Sequence, residues 1–123
     1  MNIKVWFFAF AAIAVFVSPA TAGDAALGQK VFNKCKSCHD VAEPKNRAGP
    51  SLKGLFGRSA GNVQGFSYSE AMKNSGIVWS EDTLKTYLAD PKATVPGNKM
   101  SFAGLKKEDE IENILEYLEE ATK

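Results

Sequence analysis

The sequence predicts an all-α domain with long loops, and three observations support that fold class. Apolar residues near the carboxyl end, within 111–118, recur at helical spacing. Residues 44–66 contain two prolines and five glycines without a sustained alternation, which argues for turns instead of strands. Ser69 and Ser80 each stand where a serine can cap the start of a short helix. No internal repeat or linker is visible, so a single domain is expected.

The first 22 residues predict a cleaved signal peptide. One lysine precedes a thirteen-residue apolar run over 5–17, and Ala20, Thr21 and Ala22 form a small-x-small cleavage site. The alternative is a retained anchor, but thirteen helical residues span only about 20 Å of a ~30 Å hydrocarbon core. We therefore expect export, cleavage before Gly23, and a mature domain over 23–123.

The helices of the mature chain are predicted from the spacing of apolar residues and from the residues that begin or end a helix. Leu27, Val31 and Lys34 step at helical spacing after Asp24, which predicts a first short helix. Capped helices are expected over 69–74 and 80–89, and a Pro/Gly loop over 90–104 because proline interrupts a helix. The last helix carries Ile111, Ile114, Leu115 and Leu118 on one face, with acidic residues around the rest.

The net charge and the number of apolar side chains limit the classes of function that are expected. The sequence after residue 22 has 14 basic and 14 acidic side chains, so a strongly basic nucleic-acid binder is disfavoured. Only 26 large apolar side chains remain there, a marginal core for a domain of this size. A bound group could complete such a core.

The two cysteines and the single histidine lie within five residues, as Cys35-Lys36-Ser37-Cys38-His39. This C-x-x-C-H pattern is typical of covalent haem attachment, with two thioethers and an imidazole that can coordinate the iron. Four other interpretations of the motif are possible. A zinc site would need further Cys or His ligands, which the chain lacks, and a thioredoxin-like redox pair would need a βαβ pattern, which is not visible. A disulfide between the cysteines would leave the adjacent histidine unexplained, and the histidine could also be an unligated surface residue.

A second axial ligand separates an electron carrier from a haem enzyme. After cleavage only Met72 and Met100 remain as thioethers. Met100 lies in a Pro/Gly-shaped loop that can turn its side chain inward, whereas Met72 lies in a predicted helix where filling space is the expected role. Met100 is therefore the predicted iron ligand opposite His39.

The sequence closely resembles class I c-type cytochromes, namely mitochondrial cytochrome c and bacterial periplasmic cytochrome c2. The resemblance covers essentially the whole mature chain. The matching stretches are 32–39, 49–52, 54–58, 65–68, Trp79, 87–88 and 96–104. It implies several helices and long loops wrapped around one covalently bound haem, with the first and last helices in contact through Gly28 and Phe32 on one side and Ile114, Tyr117 and Leu118 on the other.

The resemblance also implies roles for polar residues around the haem. Tyr68 and Trp79 would donate hydrogen bonds to a propionate whose charge Arg58 compensates. Two positions, Asn98 and Met72, depart from the mitochondrial pattern, in which threonine and asparagine are usual.

The resemblance further implies that two residues support the axial ligands. Tyr87 would bond the Met100 sulfur, and the Pro50 carbonyl would accept the second ring N–H of His39.

The implied function is a monomeric periplasmic electron carrier that retains both axial ligands. Electrons would come from a quinol:cytochrome c reductase and go to a terminal oxidase or a photosynthetic reaction centre. The alternative is a haem enzyme or sensor with an open sixth position, but the chain offers no second histidine as an acid–base residue. Docking is expected through a basic rim of Lys34, Lys36, Lys92, Lys99, Lys106 and Lys107.

Overall fold

The computed structural model describes residues 2–16 and 23–123. Residues 2–16 contain no helix or strand, and their large apolar side chains are exposed. The predicted cleavage site at Ala22 lies outside the described residues. Within the described parts of the chain, no helix is both long and apolar enough to cross a membrane.

The described domain is helical, as predicted. Its elements are α1 (Ala25–Phe32), α2 (Glu70–Lys73), α3 (Glu81–Ala89), α4 (Pro91–Thr94) and α5 (Glu108–Ala121). The only β pairing among the described residues is two isolated bridges, His39 with Asn46 and Ser59 with Val78. The all-α class is confirmed.

Side-chain caps explain where three helices begin: those at Ser69 and Ser80 are predicted from the sequence, and the structure adds one at Asp24. The Asp24 side chain accepts from the Leu27 amide at the start of α1, and Ser69 accepts from the Met72 amide at the start of α2. Ser80 forms a reciprocal capping box at the start of α3. These side chains satisfy backbone amides that the first turn of a helix leaves without partners.

The structure corrects the prediction of a helix-free loop over 90–104. Pro91 begins α4 as its first residue, and the Asp90 side chain accepts a hydrogen bond from the Ala93 amide, 3.1 Å away. The first position of a helix needs no backbone donor, so proline fits there although it ends the preceding helix.

One part of the hydrophobic core lies where α1 packs against α5. Ile111, Ile114, Leu115 and Leu118 are all buried, which confirms the predicted apolar face of α5. Gly28 lies against α5: a Cβ added at this glycine would overlap the Asn113 carbonyl and come within 2.8 Å of Tyr117 Cβ. Phe32, one turn further on, packs on the Tyr117 ring with 5.4 Å between centroids.

Candidate functional site

A cavity of about 300 Å³ lies in the centre of the domain. Its walls include core residues from distant parts of the chain, such as Phe32, Leu55, Leu88 and Ile114. All nine residues singled out from the sequence line it: Cys35, Cys38, His39, Pro50, Arg58, Tyr68, Trp79, Tyr87 and Met100. The fold thus brings together side chains that are up to 65 positions apart, counted from Cys35 to Met100.

The Cys-x-x-Cys-His segment forms tight turns directly after α1. The Cys35 amide donates to the Phe32 carbonyl at 2.7 Å, and the His39 amide donates to the Cys35 carbonyl at 3.0 Å. Both cysteines are unpaired thiols of intermediate burial. Burial raises the pKa of the Cys35 thiol, and the charge of Lys34 only partly opposes that effect. A reactive redox thiol usually has a lowered pKa, so this environment weighs against the thioredoxin-like alternative.

His39 is held in a single orientation. Its Nδ1 lies 2.7 Å from the Pro50 carbonyl oxygen, which can only accept a hydrogen bond. Nδ1 therefore carries the proton, and Nε2 keeps a lone pair that can bind a metal. Burial lowers the pKa of His39, an effect that the bond to Pro50 partly opposes, so the neutral imidazole needed for ligation is favoured.

Two residues near His39 were not assigned a role from the sequence. Gly49 lies against the ring: a Cβ there would come within 2.8 Å of Nδ1 and Nε2. The Arg47 guanidinium donates to the carbonyls of Lys36 and His39, at 3.0 and 3.2 Å, and so anchors the attachment turn. Nothing in local sequence reveals an arginine that binds carbonyls eight and eleven positions away.

Met100 lies on the same cavity, in the loop after α4. The Tyr87 hydroxyl donates to its Sδ across 4.0 Å, and the Tyr87 ring packs on Trp79 with 5.0 Å between centroids. Burial raises the pKa of Tyr87 to about 12, so the hydroxyl stays protonated and remains a donor at neutral pH. Met72 also lines the cavity and packs against the core.

One wall of the cavity is polar. The backbones of Arg58 and Trp79 are paired, with the Trp79 amide 2.9 Å from the Arg58 carbonyl, which places both side chains on this wall. Arg58 donates through one terminal nitrogen to the Lys53 carbonyl, whereas its buried Nε has no partner among the described residues. The Tyr68 hydroxyl accepts from the Val63 amide at 3.1 Å, which leaves its own proton available to donate.

The residues that line this cavity fit a haem group. The cavity offers two thiols, an oriented imidazole and a thioether within mostly apolar walls, and an unpartnered guanidinium N–H suits a carboxylate of the ligand. The described residues contain no cluster of three or more His, Cys, Asp or Glu side chains that could hold a metal ion.

Comparisons with known proteins agree with this chemistry. The family model for cytochrome c matches residues 25–122. The chain is 48% identical to cytochrome c2 of Blastochloris viridis over 88% of this chain and 86% of that protein. It is 51% identical to cytochrome c-550 of Nitrobacter winogradskyi, covering 82% of this chain and 94% of that protein.

Eukaryotic and structural relatives extend the similarity. Cytochrome c of Nigella damascena is 49% identical over 84% of this chain and 95% of that protein. The solved structure of cytochrome cH from Methylobacterium extorquens superposes with a TM-score of 0.75 at 45% identity, covering 80% of this chain and 99% of that one.

Proposed function

The chain belongs to the cytochrome c family, with the class I fold and covalent haem c of that family, and we propose that it is a periplasmic electron carrier. The observation that carries the proposal is the single cavity on which an oriented His39 and Met100 both lie. If His39 and Met100 both bind the iron as proposed, they would leave no coordination position for a substrate. This disfavours the haem-enzyme alternative.

Each side chain then has a defined task. Haem c supplies a reversible one-electron couple between Fe(III) and Fe(II). We propose that Cys35 and Cys38 form its thioethers, and that His39 and Met100 are its axial ligands. The carbonyl of Pro50 holds the imidazole orientation.

The polar wall has the complementary task of binding the carboxylates of the haem. Arg58, Tyr68 and Trp79 would bind a propionate there, since Arg58 has an unpartnered buried N–H and Tyr68 a free hydroxyl proton. The remaining lining of the cavity is mostly apolar, which would disfavour water around the bound haem.

The periplasmic location rests on the signal peptide predicted from the sequence. The packing of the domain supports a boundary before Gly23. Gly23 lies against the backbone of α5, and the Asp24 amide donates to the Asn113 side chain at 2.8 Å. The large apolar side chains of residues 3–16, in contrast, are exposed.

An intact mass of the exported protein tests attachment and cleavage together. We expect the mass of a chain that begins at Gly23 plus one haem. A haemless product with two free thiols would contradict the assignment of Cys35 and Cys38. A retained leader with haem attached would contradict only the cleavage site.

Replacing the sulfur ligand tests Met100. In Met100→Ala we expect loss of the near-infrared sulfur-to-iron charge-transfer band of the oxidised protein and a lower reduction potential, because methionine ligation raises the potential. Met72→Ala is the matched control, since it removes the other thioether on the same cavity and should keep the band. A high-spin spectrum of the unaltered protein would favour the haem-enzyme alternative.

We propose that the partners are a quinol:cytochrome c reductase and a terminal oxidase or reaction centre, reached through the basic rim. The structure separates the rim lysines into two groups. Lys34 lies 3.8 Å from Glu110, and Lys106 donates to the carbonyls of Ala89 and Ala103. The other rim lysines are exposed and form neither an ion pair nor a side-chain hydrogen bond among the described residues: Lys36, Lys92, Lys99 and Lys107.

These four exposed lysines should contribute most to the electrostatic steering of the protein toward its partners. We expect the rate constant for reduction by the reductase to fall as ionic strength rises, and Lys99→Gln to lower it about threefold at low salt. Lys53→Gln, an equal loss of charge outside the rim, is the control. Stopped-flow rates that did not change with ionic strength would contradict steering by the rim.

A further inference from the structure

The methionine loop is built from a helix end and a turn. After α4 the Asn98 amide donates to the Val95 carbonyl at 3.1 Å. The turn has Pro96 second and Gly97 third, and Gly97 has a φ of +90°. This combination is typical of a type II turn, in which only glycine is at ease in the third position. The turn reverses the chain just before Met100.

The Asn98 side chain connects this turn to the methionine. Its Nδ2 donates to the carbonyls of Pro91 and Val95, each at 2.9 Å, and its Oδ1 accepts from the Met100 amide at 2.9 Å. The partners fix the orientation of the amide, because a flipped side chain would set its oxygen against two carbonyls. Both hydrogens and the oxygen of one amide are thus used, and the group is partly buried.

We propose that Asn98 is the positioning residue of the sulfur ligand. It ties the Met100 backbone to Pro91 in α4 and to Val95 directly after α4, so that the thioether stays on the cavity instead of swinging out with its loop. The inference rests on the proposed ligation by Met100. A threonine, usual here in mitochondrial relatives, has one hydroxyl hydrogen and could not make all three bonds. The Tyr87 hydroxyl then acts on a sulfur whose backbone is already fixed.

Competition by imidazole for the ferric haem of the purified holoprotein tests the proposal. External imidazole binds only when the sulfur has left, so its apparent affinity reports how well the sulfur is held. In Asn98→Asp, which keeps the shape and the acceptor but loses both donor hydrogens, we expect the affinity to rise about tenfold. Asn98→Ser, which keeps one donor, should lie between that variant and the unaltered protein.

The control is Asn74→Asp, which adds the same charge at an exposed asparagine whose side chain forms no hydrogen bond within residues 2–16 and 23–123. It should bind imidazole as the unaltered protein does. If both Asn98 variants keep the original affinity while their unfolding temperature falls, Asn98 only stabilises the loop and the proposal is overturned. If Met100→Ala leaves the charge-transfer band and the imidazole affinity unchanged, Met100 is not the ligand and the proposed function fails as well.

Discussion

A haem-free form of this chain is expected to lose cooperative folding. Replacing both attachment cysteines, as Cys35→Ala with Cys38→Ala, removes the covalent link to haem. A folded chain without haem would have to keep the central cavity of about 300 Å³ unfilled. At ~24 cal/mol per Å³ such a cavity costs on the order of 7 kcal/mol. That figure is comparable to the whole stability of a small domain, roughly 5–15 kcal/mol.

Thermal unfolding followed by far-ultraviolet circular dichroism is the measurement. The holoprotein should show one sharp transition, and the double variant a low helical signal without a transition. Ser37→Ala lies between the two cysteines and should attach haem and unfold like the unaltered protein. A cooperative transition in the haem-free chain would show that the side chains alone specify the fold.

The sequence predicts the helices well wherever one local rule decides them. Ser69 and Ser80 cap helices because their side chains reach amides three positions on, and α5 follows from its apolar period. Pro91 shows the limit of such rules. A proline that ends one helix can also begin the next, and which applies depends on whether the preceding residue caps the new helix, as Asp90 does.

The candidate site is predictable in its membership but not in its contacts. The cysteines and His39 carry a local motif, Met100 is predicted from its Pro/Gly-shaped loop, and the remaining predicted residues come from the family resemblance. The bonds of Asn98 depend on where α4 ends, and those of Arg47 on how the attachment turn returns to it. Such contacts form only once the chain has folded, so spacing along the sequence contains no signal for them.

A side chain at Gly28 is expected to be the most damaging single change away from the haem ligands. Gly28→Val would place Cβ on the Asn113 carbonyl of α5 and crowd Tyr117, and both are fixed by α5. The helices could only separate, which would disturb the bond between the Asp24 amide and the Asn113 side chain. Overpacking of a rigid contact costs about 1–3 kcal/mol, and we expect the upper end or more.

Denaturant unfolding of the holoprotein measures this cost. The matched control is Ala26→Val, which introduces the same β-branched residue at an exposed position of α1. It should change the free energy of unfolding by less than about 1 kcal/mol, the helix-propensity difference between alanine and valine. Equal effects of the two variants would contradict the close approach of α1 to α5 as the reason for the glycine, because valine has a higher helix propensity than glycine. A large loss of stability confined to Gly28→Val would instead show that the close packing of α1 on α5 depends on the absence of a side chain at Gly28.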